Sequence, residues 1–232
     1  MKAFSLILAV FFVASASFAA ETKAVPFTDN KEVNLLNLLP NPPAQDSAKT
    51  KAELEAVFTT QNTRTPAEAA QASADATENV WRFADVINDP KFKAESLPKF
   101  SAFFDRVVET EGAVVDPAKD VWKRPRPHMV DPRIKPIVKP STSGSYPSGH
   151  TTVGTLMGII LAQMVPEKKT EILARAWAYG QNRVIAGIHY PSDIEAGRLS
   201  GTAIAAVLAN HADFNKEFAA AKAELRALLG LK

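Results

Sequence analysis

From Lys49 onward, apolar residues recur at three- and four-residue intervals, and no segment alternates convincingly between apolar and polar residues. The first pattern is typical of an amphipathic helix, whereas a half-buried strand would need the second. The chain is therefore predicted to be all-α. Apolar residues make up 46% of the sequence, which is enough for one buried core. We expect a compact, single-domain helical bundle.

A Thr-Pro pair marks one helix start. Thr65 is a favourable N-cap residue and Pro66 suits the first helical position, so a helix is predicted from Pro66 to about Val86. The segment 192–210 is rich in glycine and alanine, which permits close packing against another helix. The other predicted helices span 31–38, 97–108, 117–122, 148–164, 168–188, 192–210 and 215–229.

The N-terminus has the features of a secretory signal peptide. Lys2 precedes a short apolar stretch over 4–13, and small residues at Ser17 and Ala19 fit a cleavage site. An uncleaved anchor is the alternative. We divide the chain into a signal peptide (1–19), an irregular Pro- and Asn-rich arm (20–48) and a helical domain (49–232). The mature protein is expected to be periplasmic or secreted.

Composition excludes several classes of function. The chain has 27 basic and 25 acidic residues, so no overall field would attract nucleic acid or an anionic membrane. It has no cysteine, which rules out a cysteine nucleophile, thiolate metal sites and iron–sulfur clusters. An all-histidine metal site would need nearly all of the four histidines in one place. No internal apolar stretch is long enough to span a bilayer, so stable membrane insertion is not expected.

The tetrapeptide Pro147-Ser148-Gly149-His150 lies where a loop becomes a helix. Unpaired N–H groups and the positive end of the helix dipole favour an anion there. Gly149 permits close backbone approach, and Ser148 can cap the helix or donate its hydroxyl. His150 can supply a proton. The alternative is an ordinary Ser-capped helix with a surface histidine.

A second motif combines Arg183, His189 and Asp193. Tyr190-Pro191 must interrupt the helix, so His189 is predicted at a corner between two helices. Asp193 can reach back to its Nδ1–H, which fixes the tautomer and leaves Nε2 as the free lone pair that a nucleophilic histidine requires. Arg183 can present its planar guanidinium to phosphate oxygens. The alternative is a helix-capping aspartate beside a structural histidine.

The third motif is Lys119 followed seven positions later by Arg126 and a proline. A helix that carries Lys119 and then an extended turn would bring Arg126 inward, although such a pair is often only a solvated surface. Lys123 and Arg124 are interpreted as surface or substrate-mouth residues. The long loop over 126–145 joins two motifs and is therefore expected to be functional.

Together the motifs fit the transfer of a phosphoryl group. Its transition state carries negative charge on three equatorial oxygens, which cations and N–H donors stabilise. We predict that His189 attacks phosphorus, that His150 protonates the leaving oxygen and that Asp193 orients the nucleophile. The predicted phosphate-binding residues are Lys119, Arg126, Ser148, Gly149 and Arg183.

Their order, Lys-x6-Arg-Pro, Pro-Ser-Gly-His and Arg-x5-His-x3-Asp, resembles the type 2 phosphatidic acid phosphatase superfamily. The run over 144–151 resembles its bacterial class A nonspecific acid phosphatases, and the resemblance is strong over 118–198. It implies the helical fold shared with vanadium haloperoxidases, a phosphohistidine on His189 and no metal or other cofactor. Vanadate should bind as a phosphate mimic. A homodimer is also compatible with the resemblance. Two positions depart from the family pattern: Asn182 stands where the family usually has Ser before the arginine, and His128 stands where an aromatic residue is expected.

The leading hypothesis is an exported acid phosphatase that hydrolyses small phosphomonoesters with broad specificity at mildly acidic pH, with a phosphotransferase side activity. The alternatives are a lipid-phosphate or pyrophosphate hydrolase at a membrane surface, a vanadium-dependent haloperoxidase and a phosphate-binding protein. The loop over 131–145 and the N-terminal arm are expected to set the substrate.

Overall fold

The computed structural model describes residues 23–232, so the predicted signal peptide lies outside the described residues. Within 23–232 no residue lies in a β-strand, which confirms the predicted all-α class. Three short 3-10 helices cover Val80–Phe83, Ala94–Ser96 and Pro166–Lys168. The α-helices are α1 (Leu35–Leu38), α2 (Ala48–Thr63), α3 (Pro66–Ala74), α4 (Ala84–Ile87), α5 (Pro98–Trp122), α6 (Pro127–Val130), α7 (Gly149–Met164), α8 (Lys169–Ile185), α9 (Pro191–Leu208) and α10 (Ala212–Leu228).

Helix α7 forms the centre of the bundle and is packed by α5, α8 and α9. It is apolar around almost its whole circumference, and a helix of that kind must be covered on all sides. Small residues allow the close approach of α9. A Cβ at Gly197 would lie 2.6 Å from the Ser148 carbonyl oxygen, and one at Gly201 would lie 2.5 Å from the Thr152 carbonyl oxygen. The predicted close packing is therefore confirmed, and it holds α9 against the N-terminus of α7.

Helix α5 differs from the prediction of two separate helices over 97–108 and 117–122. It is continuous over 25 residues, with Pro117 in its interior. Proline removes one backbone hydrogen bond from a helix. Here Val114, Val115 and Ala118 are buried on both sides of it, so packing against the core maintains the helix. The helix ends at Trp122, and Lys123, which follows it, has a φ of 46°.

Helix α3 begins as predicted but ends early. Thr65 and Glu68 form a capping box, yet the helix stops at Ala74 rather than near Val86, so that boundary was wrong. The reason is Asp75, whose buried carboxylate binds side chains of α8. The chain leaves the helix to make these contacts, and the loop over 76–79 then borders the functional cavity.

The segment before α2 packs along α5 and α10. The Phe27 ring lies 5.2 Å from the Phe214 ring, and the Phe27 amide donates to the Thr110 hydroxyl at 2.9 Å. Glu32 and His211 also form a hydrogen bond of 2.8 Å. Tertiary contacts, and not helix formation, therefore order this segment, in which α1 is a single turn.

None of the helices within residues 23–232 has both the length and the apolar character needed to cross a membrane.

Candidate active site

Most of the predicted site residues meet at one cavity of about 500 Å³. It lies where the C-terminal ends of α5 and α8 approach the N-terminus of α7 and the corner before α9. Ser148 and Asp193 are buried directly behind its wall. The predicted residues that line it are Lys119, Arg126, Gly149, His150, Arg183 and His189.

His189 is 2% exposed and is held at both ring nitrogens. Its Nδ1 lies 3.2 Å from Asp193 Oδ2, and its Nε2 lies 3.1 Å from Arg126 Nη1. A guanidinium can only donate, so Nε2 is the acceptor and Nδ1 carries the proton. Burial, together with the charges of Arg126 and Lys119, holds the pKa of His189 well below its usual value. The imidazole is therefore neutral, with its lone pair on the cavity side.

Arg183 is fully buried, yet only part of its guanidinium is bound. Its Nη2 donates to the Ala72 carbonyl oxygen, whereas Nε and Nη1 have no hydrogen-bond partner among residues 23–232. Lys119 is also buried, and its nearest carboxylate, that of Asp116, is 3.9 Å away. Both residues line the cavity: Arg183 forms no ion pair with a carboxylate among residues 23–232, and the one ion pair of Lys119 is long, so their charges favour the binding of an anion.

Arg126 is fixed by the backbone around it. Its Nε donates to the Ser143 carbonyl oxygen at 3.1 Å, and its Nη1 donates to the Ile188 carbonyl oxygen at 3.1 Å. The extended backbone at Arg126, followed by Pro127 at the start of α6, directs the side chain inward, as predicted. The guanidinium therefore lies directly beside the lone pair of His189.

His150 is about a quarter exposed and lies between two acceptors. Its Nδ1 is 2.8 Å from Glu78 Oε1, and its Nε2 is 3.1 Å from the Ala76 carbonyl oxygen. Burial acts to raise the pKa of Glu78, but the hydrogen bond from His150 and nearby positive charges outweigh it and leave that pKa below its usual value. An ionised carboxylate and a carbonyl both require a donor, so this geometry favours the imidazolium form of His150.

Ser148 is the N-cap of α7. Its hydroxyl oxygen accepts hydrogen bonds from the Thr151 amide at 3.3 Å and from the Thr151 hydroxyl at 2.9 Å. Its own amide donates to the Asp193 carbonyl oxygen at 3.1 Å. Ser148 thus joins the start of α7 to the start of α9, while Gly149, next to it, lines the cavity.

Arg124 was wrongly interpreted as a surface or substrate-mouth residue. It is 5% exposed, and its Nη1 donates to Asp193 Oδ1 at 2.6 Å. Its Nη2 donates to Glu53 Oε2 at 3.0 Å, and its guanidinium lies 3.9 Å from the centre of the Tyr190 ring. The left-handed turn at Lys123 directs Arg124 inward and leaves Lys123 exposed. A hydrogen-bonded chain therefore runs from α2 through Arg124 and Asp193 to the imidazole.

We expect Arg124→Gln to lower kcat about 10- to 100-fold, the range typical of supporting contacts behind a functional group. Burial raises the pKa of Asp193 and Arg124 opposes that rise, so the variant should raise it further. Activity that needs an ionised Asp193 would then begin to fall at a higher pH on the acid side. Measurement of kcat against pH checks this, with Lys123→Gln as the control. An unchanged acid side in Arg124→Gln would contradict the assignment.

Asn182, which departs from the usual serine, has a structural contact. Its side-chain amide donates to Asp75 Oδ2 at 2.7 Å, and Arg175 binds the same carboxylate through both of its terminal nitrogens. These contacts anchor the start of the loop that carries Glu78 to His150. Sequence reasoning singled out Asn182 but missed Asp75, because nothing local marks that carboxylate as buried.

Two other sequence assignments concern the edge of the site. His128 lies on α6 and does not line the cavity. Ser141 and Ser143, from the predicted functional loop, do line it. In the described part of the chain, no group of three or more His, Asp or Glu side chains is arranged to hold a metal ion.

Comparison with known proteins gives consistent results. A family model described as the PAP2 superfamily matches residues 107–217. The chain is 30% identical to the non-specific acid phosphatase of Salmonella typhi, over 90% of this chain and 88% of the relative. It is also 30% identical to the non-specific acid phosphatase of Providencia stuartii, over 96% of this chain and 98% of the relative.

Two solved structures have a similar fold. A bacterial vanadium-dependent iodoperoxidase matches with a TM-score of 0.55 and 21% identity, over 74% of this chain and 52% of that one. A transmembrane PAP2-type phosphatidylglycerolphosphate phosphatase from Bacillus subtilis matches with a TM-score of 0.50 and 20% identity, over 77% of this chain and 94% of that one. At these identities the likeness shows the fold alone, and it confirms the predicted architecture.

Proposed function

The chain belongs to the PAP2 superfamily, and we propose that it is an exported acid phosphatase that hydrolyses small phosphate monoesters with broad specificity through a covalent phosphohistidine. One observation carries the mechanism. A neutral, buried His189 presents Nε2 to a cavity that also holds Lys119, Arg183 and His150, whose two ring nitrogens both face acceptors. Non-specific acid phosphatases are the relatives that this chain matches over nearly its full length.

In the first step, the Nε2 lone pair of His189 attacks phosphorus while the bond from phosphorus to the ester oxygen breaks. His150 gives a proton to the leaving oxygen, so that a neutral alcohol departs. The Nδ1–H of His189 stays on the Asp193 side, where the carboxylate stabilises the positive charge that develops on the ring. In the structure, Arg126 donates a hydrogen bond to Nε2 of His189. When a substrate binds, a phosphoryl oxygen would accept the Arg126 hydrogen bond in place of Nε2.

In the second step, water attacks the phosphohistidine in line. His150, now neutral, takes a proton from the water, and the bond from phosphorus to Nε2 breaks to release phosphate. An alcohol in place of water would give the phosphotransferase side reaction. The depressed pKa of His189 supports activity at mildly acidic pH, because the nucleophile then stays neutral.

Trapping the intermediate tests the proposal. The protein is mixed with para-nitrophenyl phosphate, quenched within seconds at alkaline pH, because phosphohistidine is acid-labile, and analysed by peptide mass spectrometry. We expect a phosphoryl adduct on His189. Hydrolysis without any adduct, or an adduct on another residue, would contradict the mechanism. A sample quenched before substrate is added serves as the control.

The other parts of the proposal have separate tests. Export after Ala19 predicts that protein recovered from the periplasm or medium begins at Ala20.

Comparison of phenyl phosphate with a short-chain phosphatidic acid separates the phosphomonoesterase from a lipid-phosphate hydrolase. Halide oxidation that appears only with added vanadate would favour a haloperoxidase. Sedimentation analysis tests the predicted homodimer.

A further inference from the structure

The cavity contains a carboxyl group that the proposed mechanism does not use. Glu111 lies two turns before Lys119 on α5, is 7% exposed and lines the same cavity. Its Oε1 has no hydrogen-bond partner among the described residues. Burial of an unpaired polar atom costs free energy, so such an atom at the wall of a cavity indicates a position where a ligand can pair with it.

The position of this oxygen relates it to the proposed phosphate site. A Cβ added to Gly149 would lie 2.5 Å from Glu111 Oε1 and 3.1 Å from Lys119 Nζ. Glu111 therefore faces the N-terminus of α7, where the backbone N–H groups favour an anion. The charge of Lys119 acts on this carboxyl group, but the ion pair that Lys119 forms in the described structure is with Asp116, at 3.9 Å.

The surroundings of Glu111 favour its neutral form. Burial raises the pKa of Glu111 to about 8, and the positive charge of Lys119 opposes this rise. The carboxylates of Glu78, Asp116 and Glu109 add to it. His150 and Arg183 face the same cavity from α7 and α8. At mildly acidic pH Glu111 is thus a carboxylic acid, which can donate one O–H.

We propose that Glu111 binds the phosphoryl group as a neutral acid, donating its O–H to a phosphoryl oxygen, and that loss of this proton weakens anion binding at alkaline pH. An ionised Glu111 would instead place a negative charge beside the bound anion. The inference rests on the proposed function, because it assumes that phosphate occupies this cavity. It adds a substrate-binding residue to the motif residues.

Sulfate is a suitable probe, because hydrogensulfate is a strong acid and the ion therefore stays a dianion from mildly acidic to alkaline pH. We would measure sulfate affinity across this range for the wild-type protein and for Glu111→Gln, which keeps an N–H donor but cannot ionise. Near pH 5 the two affinities should be similar. Near pH 9 only about a tenth of the wild-type protein carries the required proton, so the variant should bind sulfate about tenfold more tightly.

The decisive quantity is the ratio of the sulfate affinity of the wild type to that of Glu111→Gln. Titration of other groups changes both affinities alike and therefore cancels in this ratio. As a control, Glu171→Gln removes the same charge from an exposed position of α8 outside the cavity, and its sulfate affinity should follow that of the wild type at every pH. Glu111→Ala, which has no donor, should bind more weakly than Glu111→Gln at every pH. If the ratio of sulfate affinities between the wild type and Glu111→Gln stays constant with pH, the inference is wrong.

Thermal unfolding without a ligand provides a second readout. The unfolded chain loses the Glu111 proton near pH 4.5, whereas the folded protein keeps it to about pH 8. The free energy of unfolding of the wild type should therefore fall as pH rises through this window. Glu111→Gln should not show the share of this fall that comes from Glu111. Equal pH dependence of the two melting temperatures would also overturn the inference.

The two proposals fail in different ways. If sulfate binds but the affinity ratio does not depend on pH, only the role of Glu111 is wrong. If the wild-type protein binds neither sulfate, phosphate nor vanadate at any pH, the phosphate site is wrong and both proposals fall.

Discussion

His189→Ala should lower kcat by about 10⁴-fold or more and abolish the phosphoenzyme, because no other group can supply the attacking lone pair at the same point. The cavity would keep Lys119 and Arg183, so phosphate should still bind within about tenfold of the wild-type affinity. Steady-state hydrolysis of para-nitrophenyl phosphate and calorimetry with inorganic phosphate measure the two effects separately.

The control for this variant is His211→Ala. His211 bonds to Glu32 at the start of α10, outside the cavity, so kcat should stay within about twofold of wild type. Substantial turnover by His189→Ala would show that water attacks the substrate directly, and the covalent mechanism would be wrong. Loss of phosphate binding together with activity would instead indicate that the cavity had collapsed.

Arg183→Ala is expected to lower kcat/KM by about 10³-fold, in the range found when a buried arginine that stabilises phosphoryl transfer is removed. Two of its three nitrogens, Nε and Nη1, lack hydrogen-bond partners within the described part of the chain, and Arg183 lines the cavity. They can therefore pair with phosphoryl oxygens and gain strength as negative charge develops in the transition state. The loss should fall mainly on kcat.

Variants matched in charge sharpen this test. Arg183→Lys keeps the positive charge but loses the planar fork, so it should recover only part of the activity. Arg198→Ala removes an exposed arginine of α9 and should have little effect. A loss confined to KM would mean that Arg183 binds the substrate and the transition state equally well. The melting temperature must be compared as well, because removal of Arg183 leaves the Ala72 carbonyl oxygen unpaired, at a cost of about 1–3 kcal/mol.

Much of the site could be predicted because its motifs are short and lie at helix ends. A proline after Tyr190 forces a corner at His189, and an aspartate four positions later is within local reach of the ring. Likewise, a Ser-Gly pair at a loop-to-helix junction predicts an anion site without knowledge of the fold. Local backbone rules were therefore sufficient to name residues that the structure brings to one cavity.

The residues that were missed or misplaced depend on distant contacts. Arg124 reaches Glu53, which lies 71 residues earlier, and Arg175 binds Asp75 across 100 residues. A charged residue on an amphipathic helix looks the same in sequence whether it meets solvent or a buried partner. The same reason explains why Glu111 was not recognised. Helix boundaries failed in a similar way, because packing around Pro117 outweighed a local rule.

The contacts of the N-terminal segment have a consequence for how the protein is made. The Phe27 ring packs against the Phe214 ring, and Glu32 forms a hydrogen bond with His211, 179 residues later. The start of the described chain therefore packs on its last helix. Synthesis proceeds in the opposite sense and delivers α10 last. Until then Phe27 has no partner on that side, and contacts of such large sequence separation form slowly. The bundle can therefore close only after α10 has been made, which agrees with the export proposed above, because a chain crosses a secretion channel in the unfolded state.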